Sequence, residues 1–210
     1  MIRPMEEKDC PEVIGLHMGL IADADFPVFG KGFMKELYGA ILTSPFAVPL
    51  VLEEEGEVTG FIVGATSSPK LFRDILSRRA LPLALSVIGQ VVRRPRMVAR
   101  IMDILFYTRK TSLEDIEAEM PYIALSPRVR GKGMGRHLVR EVLMRFREQG
   151  IARVKVTAHK DNEGPNRLLA AMGFTLEGTL FFLGKAQNLY WGVIEEVLAK
   201  EGSWSRERSQ

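Results

Sequence analysis

Hydrophobic positions change their spacing several times along the first third of the chain, and each spacing predicts a different element. Apolar and polar residues alternate over residues 1–5, as in a short strand. The apolar residues after Asp9 recur every three or four positions, which predicts a helix capped by Asp9, and a similar stripe predicts a second helix over about residues 31–42. Residues 46–66 hold two apolar runs around Glu55 and Gly56, the pattern of a β-hairpin.

The pattern breaks over residues 67–118, which we interpret as an insert. Residues 80–92 carry no charge, but this run of thirteen is shorter than the ~20 apolar residues that cross a bilayer. The basic stretch that follows, up to residue 110, is amphipathic, with apolar and charged residues on opposite sides of a helix. The two stretches predict a helical hairpin whose second arm begins near Pro95.

The second half of the chain returns to alternating strands and helices. The predicted elements are a strand over 119–126, a helix over 133–149, a strand over 152–159, a short helix over 164–172, and strands over 174–184 and 188–198. A length of 210 residues fits one domain, so we expect a single α/β domain over 1–210 that carries the insert at about 67–118.

Composition and charge narrow the class of protein. The chain is 46% hydrophobic and 26% charged, as in an ordinary globular protein. Its one cysteine, Cys10, cannot form an intrachain disulfide, and no apolar signal segment opens the chain, so we expect a cytoplasmic protein. A net charge of +3 gives no reason to expect a nucleic-acid partner, and no spacing of His, Cys and carboxylates predicts a metal site.

The stretch SPRVRGKGMGRHLVRE, residues 126–141, places glycines and cations at the start of a predicted helix. The first helical turn has N–H groups without intrahelical partners, and glycines let the backbone approach a ligand closely, so the stretch suits a pyrophosphate. A solvated basic helix start is the alternative. The spacing matches neither the P-loop nor the dinucleotide fingerprint. The residues concerned are Arg130, Gly131, Lys132, Gly133, Met134, Gly135 and Arg136.

This stretch resembles motif A of the GNAT superfamily of acyl-CoA-dependent N-acyltransferases. That motif reads Gln or Arg, two residues, Gly, one residue, and Gly or Ala, and Arg130, Gly133 and Gly135 match it. The segment DNEGPNRLLAAMGF is similar to a second block of the superfamily, in which an Asn precedes Gly-Phe by eleven residues, as Asn162 does here. The matches cover residues 1–66 and 119 to about 196, so the insert lies outside the common fold.

The resemblance implies a fold and an acyl donor. The fold is a mixed, mostly antiparallel central sheet with helices on both faces, and the strands on either side of the glycine loop splay apart. The donor is acetyl-CoA, whose pantetheine arm enters between those strands and pairs with the backbone of Ile123 and Leu125. Amides from Gly131 to Gly135 would hold the pyrophosphate, with Lys132 or Arg136 near the adenosine phosphates. Asn162 also belongs to the implied cofactor site.

The resemblance also implies a reaction, the transfer of an acetyl group to a primary amine of a small molecule. Such a transfer needs a base for the amine proton and a donor that polarises the thioester carbonyl. Glu119, at the start of the central strand, is the implied base, and a backbone N–H near Ile123 or Ala124 is the implied donor. The alternative for Glu119 is a solvated carboxylate at a strand end, beside Asp115 and Glu117.

One position departs from the family pattern. Many members have a Tyr seven residues after the motif Asn, where it protonates the departing thiolate, and this chain has Leu169 there. Tyr122, Tyr190 or a water would substitute, or CoA would leave as the thiolate, since a thiol of pKa about 8.5 needs little help. Asn166 stays open between a CoA contact and a helix cap.

The insert and the histidines carry the remaining hypotheses. Residues 67–110 hold ten Lys or Arg against two acidic residues, a net charge of +8. The insert is therefore interpreted as a structural layer, a lid over an anionic acceptor such as an amino sugar, or a peripheral contact with the inner face of a membrane. It could also form the interface of a homodimer. His17, His137 and His159 are weaker candidates for the site. A catalytically weak CoA-binding or membrane-docking module is the alternative to an active N-acetyltransferase.

Overall fold

The computed structural model describes residues 1–21, 29–94, 97–98, 101, 104, 107–113, 115–182 and 184–207. Seven strands form one sheet in the order β1-β2-β3-β4-β5-β7-β6. The strands are β1 (Ile2–Pro4), β2 (Ala47–Glu54), β3 (Glu57–Ala65), β4 (Glu119–Leu125), β5 (Arg153–His159), β6 (Thr175–Phe182) and β7 (Lys185–Val193). Every neighbouring pair is antiparallel except β4 and β5, so the predicted mixed, mostly antiparallel sheet is confirmed.

Helices cover both faces of this sheet. They are α1 (Cys10–Leu20), α2 (Gly30–Leu42), α3 (Ser68–Arg93), α4 (Tyr107–Lys110), α5 (Met134–Glu148), α6 (Glu163–Met172) and α7 (Ile194–Glu207). The alternation along β2 explains the two layers, because Leu50 and Leu52 join the core beneath α5, α6 and α7, whereas Val51 joins the core beneath α1, α2 and α3.

The last predicted strand is wrong beyond Val193. The chain leaves the sheet there and continues as α7. Ile194 and Val197 are buried three positions apart, while Glu195 and Glu196 between them are exposed, which is helical rather than strand spacing. Tyr190 and Trp191 favour a strand, and the apolar run continues through Ile194, so the sequence pattern does not show where the strand ends and the helix begins.

Asp9 precedes the first helix as predicted, but its side chain does not cap that helix. The carboxylate instead accepts two hydrogen bonds from the Arg3 guanidinium, at 2.7 and 2.8 Å, and one from the N–H of Glu6 at 2.8 Å. Arg3 also donates to Glu53 on β2 at 2.6 Å. The hydrogen bond from Arg3 is the main reason why the pKa of Asp9 lies below its usual value.

The insert begins as one long helix, α3, which lies against α2 and buries Leu83 and Val87. The predicted second arm is described only in part: residues 97–98, 101, 104 and 107–110 are helical, and Met97 is buried in the same core as α3. Pro95 lies outside the described residues. No described helix combines the length and the apolar character needed to cross a bilayer.

Candidate active site

Strands β4 and β5 form a fork. They share a single paired position, Glu119 with Lys155, after which no pairing joins them in the described chain. Ser126 donates its N–H to the backbone oxygen of Thr59 on β3. Because hydrogen bonding to one neighbouring strand alternates along an antiparallel strand, the N–H and C=O of the preceding residue, Leu125, point away from β3. By the same alternation the backbone groups of Ile123 point into the fork, as the predicted pairing with a pantetheine arm requires.

A bulge lies beside the base of the fork. Val63 pairs with Tyr122 and Ala65 pairs with Glu119, so a single β3 residue, Gly64, faces both Met120 and Pro121. The extra residue reverses which face of the sheet the following side chains occupy. Glu119 consequently lies on the same face as the insert.

Glu119 is fully buried, with none of its surface exposed, so it is not a solvated strand-end carboxylate. Both of its oxygens accept hydrogen bonds from the insert. Ser68, the first residue of α3, donates its hydroxyl to Oε2 at 2.6 Å, and Tyr107 of α4 donates to Oε1 at 2.5 Å. The neighbouring Glu117 is exposed and accepts instead from Ser67 at 2.7 Å. The insert therefore holds the one carboxylate that the family resemblance singles out.

Tyr107 spans the base of the fork. Its hydroxyl lies 2.9 Å from the Thr157 hydroxyl on β5 as well as donating to Glu119 on β4. Its ring packs on Phe182, with ring centroids 4.6 Å apart. Burial, followed by the negative charge of Glu119, raises the pKa of Tyr107 well above its ordinary value, so the phenol keeps its proton at neutral pH.

Lys155 is the second buried charge at the fork. Its Nζ donates to the backbone oxygen of Thr111 at 2.7 Å, which ties β5 to the end of the insert. Burial lowers the pKa of Lys155, and the negative charge of Glu119 acts in the opposite direction. Sequence reasoning missed Ser68, Tyr107 and Lys155, because two of them lie on the insert and the third reads as an ordinary strand residue.

The glycine loop follows β4 through a 3-10 turn, Pro127–Val129. Gly131 and Gly133 have φ of 76° and 81°, a region that other residues adopt only with strain, and Gly133 directly precedes α5. None of the backbone N–H groups of residues 131–135 donates to another atom of the described chain. This row of N–H groups at a helix start fits the pyrophosphate predicted for the loop.

The three cations of the loop differ in their exposure and in the groups that they contact. Lys132 is exposed and close to the N–H groups in sequence. Arg130 donates from Nε to the backbone oxygen of Leu125 at 3.0 Å, which secures the end of β4. The side chain of Arg136 forms a buried ion pair with Glu201 on α7, so it joins two helices. Burial raises the pKa of Glu201, and the charge of Arg136 acts against that rise.

Asn166 on α6 is a structural residue that holds this helix to the end of β5. Its amide donates to the backbone oxygens of His159 at 2.8 Å and Asn162 at 2.6 Å, and its side-chain oxygen accepts from Asn188 and from the Tyr190 hydroxyl. These bonds use the Tyr190 hydroxyl within the fold. Asn162 precedes α6 with an exposed side chain that forms no cap hydrogen bond.

Two further candidate positions, Leu169 and His17, lie in the cores, whereas His137 is exposed on α5 and His159 is half-buried at the end of β5. Leu169 is buried among the apolar residues around α5 and α6, so no proton donor occupies the position where many family members have Tyr. His17 is fully buried, with Nδ1 2.7 Å from the Tyr38 hydroxyl, and its ring packs on Tyr122 at a centroid distance of 5.0 Å. Within the described residues, no cluster of three metal-ligating side chains occurs.

A mixed sheet that opens beside a glycine loop is the arrangement that the resemblance to acyltransferases implies, and a comparison with known families tests it. The profile described as the acetyltransferase (GNAT) family matches residues 18–174, and the chain belongs to this family. No curated protein sequence matches the chain.

Solved structures share this fold at low sequence identity. A spermidine N-acetyltransferase that is a chimera of the Vibrio cholerae enzyme and hSSAT is 16% identical, with a TM-score of 0.60 and coverage of 94% of this chain and 97% of its own. A PaiA N-acetyltransferase from Thermoplasma acidophilum, in complex with coenzyme A, is 12% identical, with a TM-score of 0.56 and coverage of 92% and 98%. An N-acetyltransferase from Staphylococcus aureus is 13% identical, with a TM-score of 0.56 and the same coverages.

Proposed function

We propose that this chain transfers an acetyl group from acetyl-CoA to a primary amine of a small molecule, with Glu119 as the general base that accepts the amine proton. The observation that carries this proposal is a fully buried carboxylate at the point where β4 and β5 part. Amines of this kind are mostly protonated at neutral pH, so the site must take up a proton for the nitrogen to attack. The related structure that contains coenzyme A supports the choice of donor.

The donor would be held by backbone groups more than by side chains. The N–H groups of Gly131 to Gly135 would bind the pyrophosphate, and the backbone of Ile123 and Leu125 would pair with the pantetheine arm. Lys132 is an exposed cation of the loop, whereas Arg136 contributes by fixing α5 against α7. Acetyl-CoA supplies the activated thioester. The chain supplies the binding loop, the carbonyl-polarising N–H of β4 and the proton acceptor.

Thermal denaturation tests the donor site. Acetyl-CoA should raise the melting temperature, because a ligand that binds only the folded state stabilises it. Lys132→Glu should reduce that rise by repelling the phosphates, without disturbing a positive φ. Lys35→Glu, an equally exposed change of charge on α2, is the matched control and should keep the full rise. An undiminished rise in Lys132→Glu would remove this loop from the donor site.

Steady-state kinetics test the base. Glu119→Gln should lower kcat by about 10² or more at neutral pH, the usual scale for loss of a general base. The deficit should shrink as pH rises and free amine becomes abundant. Glu117→Gln, its exposed neighbour, should keep the wild-type rate. Thiol release from acetyl-CoA over a panel of amines separates an active enzyme from the alternative, a catalytically weak CoA-binding module.

The charge of the acceptor is proposed from the basic insert, whose residues 67–110 carry a net charge of +8. Arg78 pairs with Asp74, and Arg79 pairs with Glu36 at 3.4 Å, so two of the ten cations are neutralised. The remaining excess of positive charge favours an anionic acceptor such as a phosphorylated amino sugar. Comparing kcat/KM for a polyamine and a phosphorylated amino sugar tests this choice, and a preference for the polyamine would reverse it.

A second candidate function is docking on an anionic membrane, and one surface of α3 favours it. Leu81, Leu85, Ile88 and Val92 are 58–79% exposed and spaced four, three and four residues apart, so they form an apolar stripe along one side of the helix. Arg94 is exposed just beyond its end, and no acidic residue occurs between Asp74 and Asp103. A second copy of the same basic surface would repel this one, whereas anionic lipid headgroups would attract it.

Vesicle co-sedimentation tests the docking surface. The protein should bind vesicles that contain phosphatidylglycerol more tightly than vesicles of phosphatidylcholine alone, and salt should weaken the binding. Leu85→Gln together with Ile88→Gln should abolish it. Phe181→Gln, an equally exposed apolar residue on β6, is the control. Absence of vesicle binding, or self-association that the double substitution removes, would contradict a membrane partner.

A further inference from the structure

This inference rests on the proposed function, in which Glu119 accepts a proton from the substrate amine. The buried position of Glu119 raises the question of how that proton reaches the carboxylate. The carboxylate has no exposed surface, and each of its oxygens already accepts a hydrogen bond. A general base must lie within hydrogen-bond reach of the proton that it takes, directly or through one intervening group. The intervening group must touch Glu119 and also face the place where substrate binds.

Tyr107 satisfies both conditions. Its hydroxyl donates to Glu119 at 2.5 Å, and its ring is only half-buried. The hydroxyl also lies 2.9 Å from Thr157, which is two residues beyond Lys155 on β5 and therefore on the open side of the fork. Tyr107 thus lies between the buried carboxylate and the gap into which the donor would bind.

The other three tyrosines of the chain are placed differently. The Tyr38 hydroxyl lies in the core against His17, and the Tyr190 hydroxyl donates to Asn166. Tyr122 packs its ring on His17, and its hydroxyl forms no hydrogen bond with Glu119 within the described chain. Of the four, Tyr107 is the one whose hydroxyl reaches the carboxylate.

We propose that Tyr107 is the proton shuttle between Glu119 and the reacting atoms. The ammonium proton first passes through the phenol to Glu119 and on to solvent, which leaves a free amine. As the amine nitrogen attacks the thioester carbon, the phenol oxygen accepts a second proton from the nitrogen while its own proton passes to Glu119 Oε1. When the carbon–sulfur bond breaks, the phenol gives a proton to the sulfur and recovers one from Glu119. The amide is formed, the thiol leaves protonated, and both side chains return to their starting states.

Electrostatics around Tyr107 fit this cycle. The negative charge of Glu119 is one of the causes that raise the pKa of the phenol. Once Glu119 holds a proton, that charge is gone, and the phenol becomes a better donor to the departing sulfur. The shuttle also accounts for Leu169, because a second tyrosine at that position is unnecessary when one phenol serves both proton transfers.

Tyr107→Phe is the direct test, since it keeps the ring on Phe182 and removes only the hydroxyl. It should lower kcat about 10²-fold, the scale of general acid–base catalysis, with KM for acetyl-CoA and its thermal shift unchanged. Tyr107→Phe combined with Glu119→Gln should lose no more than the more damaging single substitution, because the two groups act as one unit. The kcat deficit of Tyr107→Phe should shrink with rising pH in parallel with that of Glu119→Gln.

Tyr38→Phe is the matched control, because it removes a hydroxyl that is bonded to His17 within the core, and it should keep kcat within about twofold of wild type. A wild-type kcat in Tyr107→Phe would overturn the shuttle while leaving acetyl transfer intact. Losses that multiply in the double variant would also overturn it, since they mean independent roles. If the wild-type protein releases no thiol with any amine, the proposed function itself is wrong.

Discussion

His17 should make the folded state sensitive to mild acid. The ring is fully buried, with Nδ1 2.7 Å from the Tyr38 hydroxyl, and it stacks on Phe61 with centroids 6.0 Å apart. Burial lowers the pKa of His17 from 6.5 to about 4. A charged imidazolium would lose its hydration in this apolar surrounding, which is why the folded state keeps the ring neutral.

The sign and size of the effect follow from that pKa. Between pH 6.5 and about 4 the unfolded chain binds a proton at His17 that the folded chain does not, so the stability present above pH 6.5 is lost as pH falls. The full shift corresponds to about 3 kcal/mol, and about 2 kcal/mol of it should be lost between pH 7.5 and 5.0. That loss is a large part of the roughly 5–15 kcal/mol of a typical domain.

Urea denaturation at the two pH values measures this loss. His17→Gln cannot titrate, and its amide can still bond to Tyr38. Any packing that it forfeits is the same at both pH values, so only the difference between them matters. The drop in unfolding free energy on acidification should be about 2 kcal/mol smaller in His17→Gln than in wild type. His137→Gln, an exposed histidine on α5, should keep the wild-type drop. Equal drops in all three proteins would refute the assigned pKa.

Two stability predictions accompany it. Asp9→Asn should lower the free energy of unfolding by about 2 kcal/mol at pH 7 in urea denaturation, because it removes the ion pair with Arg3. The cost should become smaller as pH falls below about 4, because protonation of Asp9, whose pKa is lowered in the folded state, then weakens the same ion pair in the wild type. An unchanged cost at pH 2.5 would contradict this. Gly64→Ala should cost about 1–3 kcal/mol, because the added carbon would lie 2.7 Å from Val142 on α5, whereas Gly39→Ala, with nothing within 4 Å, should stabilise α2. A neutral Gly64→Ala would mean that α5 shifts without cost.

The sequence predicted those parts of the fold that local patterns determine. Alternation of buried and exposed positions gave most of the strands, and the glycines at 131 and 133 adopt the positive φ expected of a binding loop. The last strand was extended too far because Val193 and Ile194 continue an apolar run. Only the buried spacing of Ile194 and Val197 shows that the period has changed.

The candidate site was predicted less completely than the fold. Glu119 and the glycine loop were predicted from family motifs, but no motif predicted the residues that bond to Glu119. Ser68 precedes Glu119 by 51 residues and Tyr107 precedes it by 12, and both contacts depend on how the insert returns to the sheet. The course of the insert is set by packing of α3 on α2, and no periodic pattern encodes that contact. The ion pair that turns Arg136 toward Glu201 is a long-range contact of the same kind.

A proline inside the central strand marks the site more clearly than any charge does. Pro121 lies within β4, where a missing N–H would normally break the ladder with a neighbour. Here the bulge opposite Gly64 already interrupts pairing with β3, and β5 has parted from β4 one residue after its rung at Glu119. The strand therefore has little ladder left for the proline to break. The expectation that a proline is excluded from a central strand therefore does not hold where β4 and β5 part. This is also the place where Glu119 contacts the insert, so the departure from the local rule lies at the candidate site.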